Sequence, residues 1–258
     1  MMMRSLWPNQ INKSMNLEQI ISSLDVISVS GDLDSEVTSI SLDSRELTPG
    51  GVFVAVSGND LDGRQFVPQA ILNGASAIIS EVAKPAGSED QVCWVHVADA
   101  RAAAAALACT WYEHPSAAMK VVGITGTNGK TTCSQLLSQL FDLLGEPAAF
   151  VGTLGYGVVD SRAGKDTAVI ATGLTTPDAI SMQRILADMA SSGAKRAAIE
   201  VSSHSLVQRR VAGLQIDTAI FTNLSRDHLD YHGDLTEYAA AKARLFAMAG
   251  LKHAVINV

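Results

Sequence analysis

The sequence contains few aromatic residues, few cysteines, a deficit of positive charge and no long apolar run. Aromatic residues make up 5% of the 258 residues and hydrophobic residues 47%, so we expect cores built mainly from Ala, Val, Ile and Leu. Lys and Arg number 19 against 26 Asp and Glu, which gives a net charge of −7. This balance argues against a surface that binds nucleic acid or an anionic membrane.

The cysteines and the N-terminus favour a cytoplasmic protein. Cys93, Cys109 and Cys133 are odd in number and lack metal-binding spacing, which favours reduced thiols. Residues 1–14 hold no apolar stretch long enough for a signal peptide, and no later segment is long enough to span a membrane. Because Met15 resembles an alternative translation start, we predict that residues 1–15 form a disordered extension.

A glycine-rich turn between an apolar run and a leucine-containing segment is the central motif. Residues 121–125 predict a strand, and leucines at helical spacing in residues 136–144 predict a helix. Glycines in such a turn let backbone N–H groups point inward, and the helix start adds donors and a positive dipole end. The predicted ATP-binding residues are Gly126, Thr127, Asn128, Gly129, Lys130, Thr131 and Thr132.

Within this loop, Lys130 is expected to contact the nucleotide phosphates from an exposed position, and the Thr131 hydroxyl to ligate Mg²⁺. The usual pattern G-x-x-x-x-G-K-[ST] has a glycine six residues before the lysine, where this chain has Ile124. The loop is therefore a variant. The alternative interpretation is an ordinary strand-to-helix turn that carries a surface lysine.

Strands and helices alternate along the chain, which predicts an α/β fold with largely parallel sheets. The break at His114-Pro115-Ser116 divides a domain of residues 16–115 from a second domain of residues 116–258. In the second domain, Thr175 or Thr176 followed by Pro177 predicts the start of one helix. Thr236 is predicted to start another helix.

Polar residues at the predicted strand ends are candidates for a site, because ligands of open α/β sheets bind at the carboxyl ends of strands. Glu200 closes an apolar strand, and we interpret it as a Mg²⁺ ligand, with a capping or salt-bridged carboxylate as the alternative. Two histidines and two aspartates follow the next strand, in residues 223–233. For the Asp43-Ser44-Arg45 cluster the simplest interpretation is a solvated turn with local hydrogen bonds.

Several of these stretches, taken together and in order, resemble the Mur ligases, ATP-dependent enzymes that form amide bonds in peptidoglycan precursor synthesis. They are residues 126–132, the E-V-S-S-H run from Glu200 with Gln208 and Arg210, and residues 222–233. The upstream strings L-D-S-R, F-V-A and D-G-R resemble the uridine-binding domain of that family. The resemblance covers roughly residues 20 to 258.

The resemblance implies an N-terminal α/β uridine-binding domain followed by a P-loop ATPase domain with a mostly parallel sheet. The family has a third, C-terminal domain that receives the amino acid, and we expect this chain to lack it and to end inside the ATPase domain. On that expectation the chain alone is inactive in amide synthesis. The implied substrates are ATP with Mg²⁺, UDP-MurNAc-L-Ala-D-Glu and a diamino acid, meso-diaminopimelate in preference to L-lysine.

The roles that the resemblance implies fall into three groups. Lys130, His228 and Lys242 are catalytic, and Lys242 is carbamylated, although chemistry alone would not single out a lysine on a helix. Thr131, Glu200 and His228 bind Mg²⁺. The UDP-sugar contacts are Leu42, Ser44, Gly58, Asn59, Asp60, Thr175, Thr176, Ser202, Gln208 and Arg210.

Two other functions stay open. A P-loop phosphotransferase or nucleotide hydrolase would use residues 121–144 but would leave the Asp43-Ser44-Arg45 cluster, Gln208 and Arg210 without a role. A module that binds a nucleotide or a UDP-sugar without turnover is the alternative outside the enzymes. An assay of acyl-phosphate formation distinguishes the ligase, the hydrolase and the binding module, because only the ligase requires the UDP-dipeptide.

Overall fold

The computed structural model describes residues 14–58, 61–85, 92–159 and 168–258. The chain divides into two compact units, one ending at Trp111 and the other beginning at Tyr112. The predicted boundary after residue 115 lies close to this division. Within the described ranges, no helix is long and apolar enough to cross a membrane.

The first unit is built on a five-stranded sheet with the strand order β2-β7-β6-β5-β4. The β4–β7 strands pair in parallel, and β2 pairs antiparallel to β7. The elements are β1 (Met15–Asn16), α1 (Leu17–Ile21), β2 (Val26–Ser30), β3 (Glu36–Val37), β4 (Ile40–Ser41), β5 (Val52–Ala55), α2 (Val67–Leu72), β6 (Ala77–Ser80), β7 (Cys93–Val97) and α3 (Ala100–Trp111).

The sequence analysis found the apolar strands of this unit but missed the short polar ones. The missed strands β2, β3 and β4 lie in a polar stretch, and two of them are only two residues long. Such strands are held by their neighbours and not by their own pattern. The predicted disordered extension also ends too late, because Met15 pairs with Val37 in an antiparallel ladder. Residues 1–13 lie outside the described part of the chain.

The second unit contains a six-stranded sheet with the strand order β10-β9-β11-β8-β12-β13. All neighbours pair in parallel except β10, which is antiparallel to β9. The elements are β8 (Lys120–Thr125), α4 (Lys130–Leu143), β9 (Ala148–Gly152), β10 (Gly155–Val158), α5 (Ala179–Ser191), β11 (Arg196–Glu200), α6 (Ser203–Val207), β12 (Thr218–Phe221), α7 (Leu229–His232), α8 (Leu235–Ala243) and β13 (His253–Ile256). The predicted α/β class with mostly parallel sheets is confirmed.

The helix α4 follows the predicted helical spacing, but only some of its apolar residues face the sheet. Its buried residues are Ser134, Ser138 and Asp142, while Leu136 and Leu140 are 55% and 54% exposed. The Ser138 hydroxyl donates to the backbone carbonyls of Ser134 and Ala149, at 2.8 and 3.0 Å. Three half-buried apolar side chains of α4, those of Cys133, Leu137 and Phe141, pack against the core of the sheet. The helix therefore contacts the sheet through both serines and apolar side chains.

Two helix starts differ from the prediction. An aspartate caps α5 in place of the predicted threonine, and α8, predicted to start at Thr236, starts one residue earlier behind an aspartate cap. Asp178 caps α5 by accepting from the backbone N–H groups of Ile180 and Ser181, at 2.9 and 3.0 Å. Asp234 caps α8 by accepting from Glu237 N at 2.8 Å. Thr176 is used elsewhere, since its hydroxyl donates to the backbone carbonyl of Glu200.

The two candidate caps of α8 can be compared directly by mutation. Asp234→Ala should lower the free energy of unfolding by about 1 kcal/mol, because it leaves a helix N–H group without its acceptor. Thr236→Ala, in the same turn and exposed, should change it by less than about 0.5 kcal/mol. Urea denaturation followed by circular dichroism measures both, and an equal loss in the two variants would contradict the assignment.

Candidate functional site

The loop between β8 and α4 has the backbone conformation of a glycine-dependent turn. Gly126 and Gly129 have φ angles of +146° and +83°, in the region that side chains rarely allow. A Cβ atom at Gly126 would also overlap the Thr222 hydroxyl, which belongs to the loop after β12. Glycine is therefore needed at position 126 for two reasons, namely its backbone conformation and the close approach of Thr222.

Lys130 lies at the first position of α4 and folds back over the loop. Its ammonium group donates to the carbonyls of Gly126 and Thr127, both at 2.9 Å. The side chain is partly buried and not exposed, which corrects the expectation from its place at a helix start. Burial lowers the pKa of Lys130, against the opposing effect of the Glu200 and Asp227 carboxylates. The ammonium thus already lies where loop carbonyls converge.

Glu200 lies at the end of β11 and its carboxylate is held by threonines from two other segments. The residue is 1% exposed. One carboxylate oxygen accepts from the hydroxyls of Thr131 and Thr153, at 3.0 and 3.1 Å, and the other accepts from Thr153 N at 3.0 Å. Gly152 leaves room for this group, since a Cβ atom there would overlap it. The contact brings together Thr131 and Glu200, two of the three predicted Mg²⁺ ligands.

Lys242 is the buried lysine of this site. It lies on α8, is 2% exposed, and donates from its ammonium group to the Gly126 carbonyl at 2.9 Å. The same ammonium lies 4.2 Å from the centre of the Tyr238 ring, within the range of a cation–π contact. Burial, followed by the charge of Lys130, lowers the pKa of Lys242 to about 7.

Three imidazoles form a second cluster near α6, α7 and α8. The ring centres of His228 and His232 lie 4.9 and 5.3 Å from that of His204. Burial and the neighbouring histidines lower the pKa values of His204 and His232. His228, the predicted ligand, has a φ angle of +53° and lies 3.5 Å from the Asp227 carboxylate. Among the described residues, no group of three or more His, Cys, Asp or Glu side chains is arranged to hold a metal ion.

The predicted sugar-nucleotide contacts of the second unit form one hydrogen-bonded network. Arg210 donates to the Thr176 carbonyl at 2.8 Å and, through Nε and Nη2, to the Gln208 side-chain oxygen at 2.9 and 2.6 Å. The Thr176 hydroxyl donates to the Glu200 carbonyl at 2.8 Å and accepts from Ser202 N at 3.1 Å. Thr175 joins through a 3.1 Å contact between its hydroxyl and that of Thr153.

The predicted uridine contacts belong to the first unit, and only some of them lie in the described residues. Ser44 is buried, and its carbonyl accepts from the Asn73 amide at 2.6 Å. Leu42 is half-buried, and Gly58 N donates to the Leu61 carbonyl at 2.9 Å. Asn59 and Asp60 lie outside the described residues.

The neighbouring Asp43 and Arg45 form a local clasp. The Arg45 guanidinium donates to both carboxylate oxygens of Asp43, at 2.6 to 3.1 Å, and lowers the pKa of that carboxyl group. The clasp is partly exposed, as the simplest interpretation of this cluster as a solvated turn with local hydrogen bonds requires.

Comparison with protein families supplies the identity of this arrangement. The model described as "Mur ligase middle domain" matches residues 124–258, just over half of the chain. The chain belongs to the Mur ligase family. A second model, "Mur ligase family, catalytic domain", matches residues 36–112. The two matches fall on the two units of the structure.

The Mur ligase relatives are similar across both units. UDP-N-acetylmuramoyl-L-alanyl-D-glutamate--2,6-diaminopimelate ligase of Xanthomonas campestris pv. campestris is 46% identical over 225 residues, which is 87% of this chain and 44% of the relative. The ligase of that name from Ralstonia nicotianae is 49% identical over 223 residues, 83% of this chain and 42% of the relative. A solved structure of such a ligase aligns with a TM-score of 0.77 and 34% identity, covering 95% of this chain and 47% of that one. The chain therefore spans less than half the length of the relatives it matches.

Residue chemistry by itself missed two residues of the clusters described above. Lys242 has no sequence signal of burial except that small residues surround it, with Tyr238 one helical turn before it. His204 follows the Glu200 strand by four residues and belongs to the histidine cluster, but its own sequence position carries no metal-ligand spacing. Both become visible only when α6, α7 and α8 pack together.

The lowered pKa of Lys242 predicts a pH-dependent stability. Between pH 7 and the ordinary lysine pKa, the unfolded chain holds a proton on this amine that the folded chain has released. The unfolded state then binds more protons, so stability rises with pH in this window.

This rise can be measured against a variant without the amine. The free energy of unfolding of the wild type is compared with that of the Lys242→Met variant in CO₂-free buffer. Between pH 7.5 and 9.5 the difference should grow in favour of the wild type by about 1 kcal/mol per pH unit. Urea denaturation at several pH values measures the difference. Parallel curves for the two proteins would show that the pKa of Lys242 is not lowered.

Proposed function

We propose that this chain supplies the nucleotide-binding and sugar-nucleotide-binding parts of an ATP-dependent ligase. The ligase joins a diamino acid, 2,6-diaminopimelate in preference to lysine, to the D-glutamyl carboxylate of UDP-MurNAc-L-Ala-D-Glu. The relatives' names support this reaction. Residues 16–115 would hold the uridine end and residues 116–258 the ATP, and the protein would act in the cytoplasm.

One observation carries the proposal, namely that Glu200 adjoins both predicted subsites. Its side chain accepts from Thr131 of the phosphate loop, and its backbone carbonyl accepts from Thr176 of the sugar-nucleotide network. A ligase of this kind must bring a carboxylate and a triphosphate within bonding distance. The end of β11 is a place where both could be held.

Mg²⁺ suits the oxygen atoms present at this strand end. A hydroxyl and a buried carboxylate 3.0 Å apart are the kinds of ligand that this hard cation prefers, and Thr131 and Glu200 provide them. We propose His228 as a ligand of a second Mg²⁺. When bound, Mg²⁺ neutralises phosphate charge and stabilises the charge that develops during transfer.

Lys242 fits the proposed carbamylation. Because its pKa is about 7, an appreciable share of the amine is neutral near pH 7, and only the neutral amine attacks CO₂. A nitrogen–carbon bond forms and the nitrogen loses a proton, so that an anion replaces the cation. The negative group would then face the ammonium of Lys130 across the phosphate loop and could help bind the second Mg²⁺.

The proposed reaction has two steps. An oxygen of the D-glutamyl carboxylate attacks the γ-phosphorus of ATP, the bond to the β-phosphate oxygen breaks, and ADP leaves an acyl phosphate behind. The amine of the diamino acid then attacks the acyl carbon and expels inorganic phosphate. Lys130 offsets the repulsion between the attacking carboxylate and the triphosphate, which is the main barrier to bringing two anions together.

Nucleotide binding should depend on Lys130. We expect Lys130→Ala to weaken ATP binding by at least about tenfold in the presence of Mg²⁺, because a buried phosphate contact worth about 1.4 kcal/mol or more is lost. The exposed Lys195, in the same unit, is the matched control and Lys195→Ala should bind ATP as the wild type does. Calorimetric titration measures the affinities, and equal affinity in the Lys130→Ala variant would remove the phosphate-loop assignment.

Acyl-phosphate formation distinguishes the ligase from the two alternatives. With ATP, Mg²⁺, UDP-MurNAc-L-Ala-D-Glu and hydroxylamine, we expect ADP and a hydroxamate of the dipeptide in a single turnover, detected by mass spectrometry. Hydroxylamine takes the place of the diamino acid, so the test needs only the two subsites of this chain. A nucleotide hydrolase would release ADP without the UDP-dipeptide, and a binding module would release none.

A further inference from the structure

The segment after β12 runs beside the phosphate loop in the manner of an added strand. Thr222 N donates to the Thr125 carbonyl at 3.0 Å, and Thr127 N donates to the Asn223 carbonyl at 2.9 Å. Two residues further along, Ser225 N donates to the Thr127 hydroxyl at 3.0 Å. The loop is thus attached along its length to residues 222–225.

The side chain of Asn223 completes this attachment at one residue of the loop. Its amide oxygen accepts from Asn128 N at 3.0 Å, and its amide nitrogen donates to the Asn128 carbonyl at 3.1 Å. The Thr222 hydroxyl donates to the same carbonyl at 2.6 Å. The N–H and C=O groups of Asn128 belong to the two peptide units on either side of its Cα atom. One amide side chain that pairs with both groups therefore fixes the position and the orientation of the backbone at this residue.

These contacts decide which loop donors remain for a ligand. The N–H groups of Thr127 and Asn128 are both directed to Asn223, one to its backbone and one to its side chain. The first N–H groups of α4, from Lys130 onward, have no acceptor within the helix. A phosphate would therefore be bound by the N–H groups at the start of α4, while Thr127 and Asn128 determine the position of that helix start.

We propose that Asn223 is a positioning residue for the nucleotide. It does not touch the phosphates. It holds the backbone of Asn128 so that Gly129, in its left-handed conformation, directs the start of α4 and Lys130 toward them. This proposal rests on ATP binding as the proposed function of the loop and extends it to a residue outside the loop. Thr222 supports the same stretch of backbone from a second side.

The test compares two asparagines that each donate to a backbone carbonyl. Asn223→Ala removes both bonds to Asn128, and Asn223→Asp keeps the acceptor but turns a carboxylate oxygen toward the Asn128 carbonyl. Asn257 donates to the Thr222 carbonyl, just after β12, at 2.8 Å, so Asn257→Ala and Asn257→Asp match the loss of a donated bond and the added charge. The Kd of a fluorescent ATP analogue with Mg²⁺ and the urea midpoint are measured for all five proteins.

We expect both Asn223 variants to raise the Kd for the ATP analogue at least tenfold, with both Asn257 variants within twofold of the wild type. As the pH is lowered, the difference in affinity between the Asn223→Asp variant and the wild type should shrink, because a protonated carboxyl group can donate to the Asn128 carbonyl. Equal affinity in the Asn223 variants, or an equal loss in the Asn257 variants, would overturn the proposal. Failure of the proposed function would show as a wild type that binds no nucleotide. Failure of the positioning role alone would show as a wild type and Asn223 variants that bind it equally well.

Discussion

The buried carboxylate of Glu200 is the interaction on which the site of the second unit depends. A carboxylate that is 1% exposed is costly unless hydrogen bonds compensate for lost water. Here the donors are Thr131 at the start of α4 and Thr153 in the turn between β9 and β10. Because each donor comes from a different strand connection, satisfying one charge holds the phosphate loop, that turn and β11 in register.

The carbonyl of Gly126 is the point at which the positive charges of the site converge. It accepts from the ammonium groups of both Lys130 and Lys242, which approach from different helices. Two cations that share one acceptor repel each other, and the charge of Lys130 is one cause of the lowered pKa of Lys242. A glycine-rich loop on which two ammonium groups converge is suited to an anion.

The local parts of this site could be predicted from sequence because they depend on residues close together in the chain. The glycine positions at 126 and 129, the strand before them and the helix after them follow from pattern and conformational preference. The same is true of the Asp99 cap of α3, whose carboxylate accepts from Ala102 N at 2.8 Å. Where two candidate caps lay close together, as at Thr176 and Asp178, pattern chose wrongly, because the threonine hydroxyl was needed by the Glu200 carbonyl of another strand.

Sequence by itself determined the α/β class, the glycine-rich turn between β8 and α4, and the strand end that carries Glu200, since periodicity and glycine spacing are local properties. Only the tertiary structure decided that Lys242 is buried, that Asn223 supports Asn128, and that Leu136 and Leu140 of α4 lie outward while Ser134 and Ser138 are buried. The reason is the same in each case. Burial and hydrogen-bond partners depend on which segments the sheet order places side by side. The strand β8 lies between β11 and β12 although about 70 and 90 residues separate it from them in the chain.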